Sequence, residues 1–517
     1  MKARWLVGIT LTVSVATGAG LCLHAQGGWT PTIPRTWDDA EIARHEVPLA
    51  TPIGSPKHVS SDYYYRMPVR PIYKAYPVYA AGREPAGYVD WLKQQEPVIL
   101  WDDAGHAPPL ETEADWIRAG QIAFEASTQF GAARANFRIE DIKNPDWYAR
   151  TGAPVAGNGT VPVFQYVVRT RGEVELGVNS CAFCHTRVMP DGSVLRGAQS
   201  NFPVQRAFAY GLRALAASSK EPQALLVQTR TLLRSLHATP WLHPDPEDRV
   251  DTMSIEEIAS VFDAVPPGVS FRQRTNSFTP AQVPDLIGVK DRRYLDRTGL
   301  EVHRSIGDMM RYAAMNQGAD PLGNYAGFVP ADSPRFTQVP PPESRSRYSD
   351  AQLYALSLYV YSLKPPPNPN AFDGVASRGQ QIFERERCGS CHTPPLYTNN
   401  MLTPAPGFEI PADHAARFDI LRVSVGTDPE LTMRTRRGTG YYKVPSLKGV
   451  WYRSMFGHSG WCATLEDWFD PHRLDDDYVP TGFKGYQVTH RAVPGHQFGL
   501  KLSSDDKRAL IAFLKTL

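Results

Sequence analysis

Two pentapeptides constrain this chain more than anything else in it: Cys181-Ala-Phe-Cys184-His185 and Cys388-Gly-Ser-Cys391-His392. Each reads C-x-x-C-H, the spacing at which two thiols add to the vinyl groups of a c-type haem and the next imidazole reaches the iron. The competing reading is a single zinc site built from both cysteine pairs. Both motifs carry His at the same offset, and the chain has only six cysteines. Both facts favour two covalent haems. Cys22, if it leaves with an export signal, leaves Cys462 unassigned. No disulfide framework is then available, and Cys462 reads as a small buried apolar residue.

The 517 residues allow several domains, and 45 Pro with 40 Gly point to long loops. A net charge of +2 argues against a nucleic-acid partner. Lys2 and Arg4 precede a mostly apolar run from Trp5 to Leu23, and Ala25 suits a cleavage site. Residues 1–25 are therefore expected to be a Sec-type signal, with a periplasmic product and no permanent membrane span. Export agrees with haem attachment, which takes place outside the cytoplasmic membrane.

Residues 26–112 lack a clear period and are rich in Pro and Tyr. They read as an extension wrapped on the haem domains, with a short helix near Tyr88–Gln95. From Glu113 a 3.6-residue period appears through Trp116, Gly120 and Phe124. Val161–Arg169 reads as a β-hairpin insertion. Helices are expected over Phe208–Ala217, Gln223–His237 and Ser254–Ala264, the last with Ser254 and Glu257 at the capping-box offset.

An internal repeat follows. Val283–Gly299 aligns without gaps on Val444–Gly460, 161 residues on, with seven of 17 positions identical. Each copy follows a haem motif and precedes a closing helix, Ser349–Leu363 or Ser503–Leu517. Pro365–Pro369 is a stiff linker between the halves. The expected fold is mainly α: two cytochrome c-like domains in tandem, 113–364 and 370–517, with an irregular extension and the β-hairpin insertion.

This layout resembles the bacterial di-haem cytochrome c peroxidase superfamily, which includes the methylamine-utilisation di-haem enzyme and the rubber oxygenases. The match is sharpest at Val444-Pro-Ser-Leu, Phe456-Gly-His458-Ser-Gly460 and Thr464-Leu-Glu466. The resemblance implies a second axial ligand for the C-terminal haem 14 residues after His458, at His472, opposite His392. His472 would otherwise be a surface histidine. Paired imidazoles would favour ferric iron. His458 is expected beside the site rather than on the iron. The resemblance also implies a calcium ion held by backbone carbonyls at Arg453 and Met455.

At the first haem this chain departs from the peroxidases. No histidine follows His185 until His237, so one face of that iron is expected to be open to H2O2 or O2. Met189, His237, His243, His303, Met309 and Met310 remain alternative ligands. The family's inter-haem Trp falls on Arg297, and its Gln and catalytic Glu fall on Gly307 and Gln317. No acid stands there to move the peroxide proton. Arg311, Tyr312, Asn316 and Gln317 are the candidate catalytic residues, on a segment that also reads as an ordinary amphipathic helix.

The function expected is a periplasmic di-haem oxidoreductase, most simply a peroxidase. The first haem binds the oxidant, and the second exchanges electrons with a small redox protein. The alternatives are a rubber-oxygenase-like dioxygenase and an electron-transfer cytochrome without chemistry of its own.

Overall fold

The computed structural model describes residues 29–131, 137–271, 275–321, 323–328 and 339–517. The expected signal segment lies outside them. Among the described residues no helix is long and apolar enough to cross a membrane. The regular structure is mainly helical with small sheets, and no barrel forms among the described residues.

Five helices frame the two haem motifs: α1 (Glu113–Glu125), α2 (Ile306–Asn316), α3 (Asp350–Ser362), α4 (Gly374–Arg385) and α5 (Ser504–Lys515). Helix α1 starts at a capping box between Thr112 and Asp115, and α3 at one between Ser349 and Gln352. Such caps satisfy end donors that the helix itself cannot, each worth about 1 kcal/mol. Asp373 caps α4 and Ser503 caps α5.

The helices cross in two pairs, α1 on α3 and α4 on α5. The crossings share one local solution. At Gly120 an added Cβ would lie 1.9 Å from the carbonyl oxygen of Ala355 and 2.7 Å from Cβ of Tyr359. At Gly379 it would lie 1.9 Å from the carbonyl oxygen of Ala509 and 2.7 Å from Cβ of Phe513. Glycine is needed at both because backbone meets backbone there. An aromatic one turn later, Phe124 or Phe383, fills the adjoining core.

The two copies of the sequence repeat also fold alike. Gly288 and Gly449 both take left-handed backbone, with φ of 73° and 74°. Arg292 donates to the carbonyls of Asp285 and Ile287. Its counterpart Arg453 donates to those of Ser446 and Lys448, at 2.9 and 2.8 Å. These are equivalent positions in the two copies.

The expected hairpin is part of a larger sheet. Strands β1 (Ala75–Tyr79), β2 (Gln129–Phe130), β3 (Thr160–Val167) and β4 (Glu175–Val178) line up in the order β1-β3-β4-β2, all antiparallel. The strand β1 comes from the aperiodic extension, so that segment is integrated into the fold. Its Trp37 and Tyr64 are fully buried and stacked, with centroids 4.8 Å apart. The short helix expected near Tyr88 covers Tyr88–Lys93. The three later helices cover Val204–Ser218, Pro222–His237 and Ile255–Asp263, the last with the Ser254–Glu257 capping box.

The extension is tied down by buried ions as well. His58 bridges Glu46 and Asp320, all three almost wholly buried. Burial alone would lower the pKa of His58, but Glu46 and then Asp320 outweigh it and raise the value to about 10.

Candidate haem centres

The two motifs adopt the same tight turn. The amide of His185 donates to the carbonyl of Cys181 at 3.1 Å, and that of His392 to Cys388 at 2.9 Å. The turn brings both sulfurs and the imidazole of each motif into one short stretch of backbone.

The second motif opens onto a cavity of about 1590 Å³ including its mouth. Cys388, Cys391 and His392 line it together with His496, Trp468, Phe469 and Phe498. The Nδ1 of His392 donates to the carbonyls of Tyr397 and Pro445, at 3.2 and 3.1 Å. That fixes the ring and leaves Nε2 for a metal, the usual outer-shell arrangement of a ligating histidine.

Across the cavity stands His496. Its ring centroid is 6.3 Å from that of His392. This is the separation of two imidazoles sharing one metal ion when each metal–nitrogen bond is about 2 Å. Burial, then the neighbouring His392, pushes the pKa of His496 down to about 3. It is therefore neutral, as a ligand must be. The residues at the second motif thus fit a covalent haem with two imidazoles.

His472, expected in that place, is elsewhere. Its side chain is half exposed and pairs with Asp475 at 2.9 Å. The exposed turn at Asp470–Pro471 keeps it at the surface, where Asp475 raises its pKa. Its neighbour Arg473 is fully buried instead. The guanidinium donates to the carbonyls of Trp468, Val493, Gly495 and His496. Arg473 therefore holds the loop that presents His496.

Sequence reasoning missed His496 because it follows His458 by 38 residues. The one available signal was Pro494-Gly-His496-Gln-Phe-Gly499, an imidazole in a turn between glycines. Gly495 (φ 79°) packs so closely on Thr427 that a Cβ would come within 2.2 Å of its amide nitrogen. His458 lies beside the site as expected: it lines the cavity, stacks on Tyr442 at 4.0 Å and meets Trp461 edge-on at 4.4 Å.

At the first motif, Cys184 is buried while Cys181 and His185 are partly so. Cys181 packs against the large apolar cluster that also takes in Met309, Met310, Ala314 and Met315 of α2. Gln317 lines a narrow space with Tyr348 and Arg70. Tyr312 is partly buried against the same cluster. Asn316 donates to the carbonyl of Tyr312 at 2.8 Å, within the helix.

Arg311 has ion-pair partners of its own. It is buried in an ion-pair network, 2.9 Å from Asp308 and 3.8 Å from Glu41. Asp308 also binds Arg304 and lies 3.4 Å from His45. Arg311 is thus committed to joining the extension to α2. Among the alternative ligands, both ring nitrogens of His303 are engaged, by the Arg292 carbonyl and the Tyr361 hydroxyl. His237 is held by the Thr275 carbonyl.

Arg297, at the position of the family's inter-haem Trp, lies on the wall of the second cavity. It also lines an adjoining cavity with Arg292, Lys443 and Arg453. Of the two residues expected to offer calcium carbonyls, Arg453 lines this cavity, while Met455 packs against the apolar cluster of Val269, Trp461 and Cys462.

Compared with known proteins, the chain matches no family model and no curated protein. Among solved structures, Kuenenia stuttgartiensis hydrazine synthase pressurized with xenon is 14% identical, covering 56% of this chain and 87% of its own, at a TM-score of 0.29. A MauG-like protein associated with microbial copper homeostasis is 16% identical, with the same coverage of 56% and 87% and a TM-score of 0.28. Superpositions this loose identify no shared fold.

Proposed function

We propose that this chain is an exported di-haem c-type oxidoreductase built by internal duplication, akin to the di-haem cytochrome c peroxidases. One haem would be held by Cys388, Cys391, His392 and His496, the other by Cys181, Cys184 and His185. The observation that carries the reading is the opposition of His392 and His496 across a cavity that begins at a C-x-x-C-H turn. The matched helix crossings at Gly120 and Gly379 support the duplication.

A c-type haem supplies one-electron redox chemistry, and an open axial position adds binding of a small oxidant. The chain's own contributions are positional. The carbonyls of Tyr397 and Pro445 hold the proton of His392 on Nδ1. Arg473 fixes the loop of His496. Leu447, Val450, Leu465, Leu510 and Leu514 keep water from the cavity wall. A site closed by two imidazoles suits electron storage and relay to a small redox partner. Catalysis of H2O2 or O2 reduction would then fall to the first haem, with Tyr312, Asn316 and Gln317 as polar candidates.

A second reading, an electron carrier without chemistry, is favoured by the commitment of Arg311 to Asp308. It removes the cation offered by the distal segment. An EPR spectrum of the fully haem-loaded ferric protein separates the two. A high-spin signal from about half the iron, together with a bis-imidazole low-spin signal, fits the enzyme. Two low-spin signals, with no CO binding after reduction, fit the carrier and sink the enzyme.

A further inference from the structure

Beside the second haem cavity lies a smaller one lined by Arg292, Arg297, Lys443 and Arg453, with Asp285 as the carboxylate in its wall. Arg297, Lys443 and Arg453 line both cavities, so the two share a wall made of cations. The cluster joins the halves of the chain. Arg292 and Arg297 belong to the first copy of the repeat, Lys443 immediately precedes the second and Arg453 lies within it. Arg292 and Arg453 are equivalent residues that meet at one place.

Four cations and one carboxylate line this cavity. Asp285 also accepts from the Tyr452 hydroxyl at 2.7 Å. Asp291, beside Arg292 in sequence, Asp296 and Glu301 also act on the cluster from outside the cavity wall, and Asp296 is itself paired with Arg437 at 2.5 Å. The Nε of Arg453 is buried without a hydrogen-bond partner. Burial, then Arg453 and Arg292, push the pKa of Arg297 down to about 9. Burial, then Arg292 and Arg297, push Lys443 well below the usual lysine value. Four cations grouped at a protein seam are costly unless an anion joins them.

We propose that this cluster is a carboxylate-binding site whose occupants are the two haem propionates of the second haem, so that Arg297, Lys443 and Arg453 clamp the macrocycle edge and Arg292 ties it to the first half. The proposal rests on the haem reading of Cys388–His392. It follows that the cations hold the propionates ionised and raise the reduction potential of that haem, because positive charge favours the ferrous state. Haem loading also becomes part of what joins the two halves.

The test uses the full-length, haem-loaded protein. The midpoint potential of the low-spin haem is titrated between about pH 5 and pH 8, above the ordinary carboxyl range, in wild type, Lys443→Gln, Arg297→Gln and Lys443→Arg. Wild type and Lys443→Arg should show a nearly flat, higher potential. The two Gln variants should show a lower potential that falls further as pH rises, because their propionates now titrate in this window. A pyridine haemochrome count of two haems per chain with unchanged potentials overturns the clamp alone. A chain without haem at Cys388 and Cys391 overturns the haem reading and the clamp with it. Phosphate added at constant ionic strength should leave the wild-type potential unmoved. A shift that disappears in Lys443→Gln would assign the site to a free oxyanion and overturn the propionates as its occupants.

Discussion

The guanidinium of Arg473 donates to the carbonyl of His496 at 2.9 Å, and through Val493 and Gly495 to the turn before it. A residue in the stretch where the far-side ligand was expected thus acts on that ligand from behind. Arg473 also lies over the Trp468 ring at 4.7 Å, another wall of the same cavity.

Replacing Arg473 by Ala should therefore act at a distance. Four carbonyls lose their donor, and the two that are buried, on Val493 and Gly495, each cost about 1–3 kcal/mol when left unpaired. The expected result is a loss of at least about 2 kcal/mol in unfolding free energy, together with a broadened or partly high-spin signal from the second haem. Thermal melts and EPR on the same sample check it. An intact low-spin signal at full stability would show that the loop needs no such anchor.

His496→Ala and His472→Ala should part company. The first should convert the low-spin haem into one that binds CO on reduction. The second removes a half-exposed side chain paired with Asp475, and surface ion pairs are worth about 0–1 kcal/mol. It should leave the spectrum unchanged. If instead His472→Ala opens the haem and His496→Ala does not, the assignment made here is reversed.

What the sequence disclosed, and what it did not, follows from the range of the forces involved. The C-x-x-C-H turns, the Ser254–Glu257 capping box and the closing helices are set by contacts a few residues apart. All of these are found where periodicity and capping rules put them. His496 is placed by Arg473 and Thr427, from loops distant in sequence, and no spacing rule reports that. The ion pairs of Arg311 are not legible in sequence, because its partners Asp308 and Glu41 include one from the aperiodic extension. Strand β1 escaped notice for a related reason: Pro77 interrupts its pattern, and its pairing partner β3 lies far along the chain.

The helix crossings offer a test that reverses the usual propensity rule. In an exposed helix, Gly→Ala stabilises by about 1 kcal/mol. At Gly120 and Gly379 the new methyl would sit 1.9 Å from a carbonyl oxygen, which no rotamer relieves. Over-packing of this kind costs about 1–3 kcal/mol, so it should win over the propensity gain. Gly120→Ala and Gly379→Ala should each lower the urea midpoint, while Gly374→Ala, where a Cβ meets nothing within 4 Å, should not. Equal midpoints for all three would mean that the paired helices are not in backbone contact.

The buried bridge Glu46–His58–Asp320 makes stability depend on pH in a definite direction. His58 has a folded pKa of about 10 and an unfolded value near 6.5. A raised pKa means that its contribution is complete below the unfolded value and is lost as pH rises through the folded one. Between about pH 6.5 and pH 10 the protein should therefore lose stability with a slope of up to about 1.4 kcal/mol per pH unit from this group. His58→Gln keeps a polar side chain but cannot charge. It should be less stable at pH 6 and flatter through the same window, so that the two curves converge toward pH 10. Urea unfolding at closely spaced pH values checks this. Curves that stay parallel from pH 6 to pH 10 would show that His58 is neutral in the fold, and that the extension is held by packing around Trp37 and Tyr64 rather than by charge.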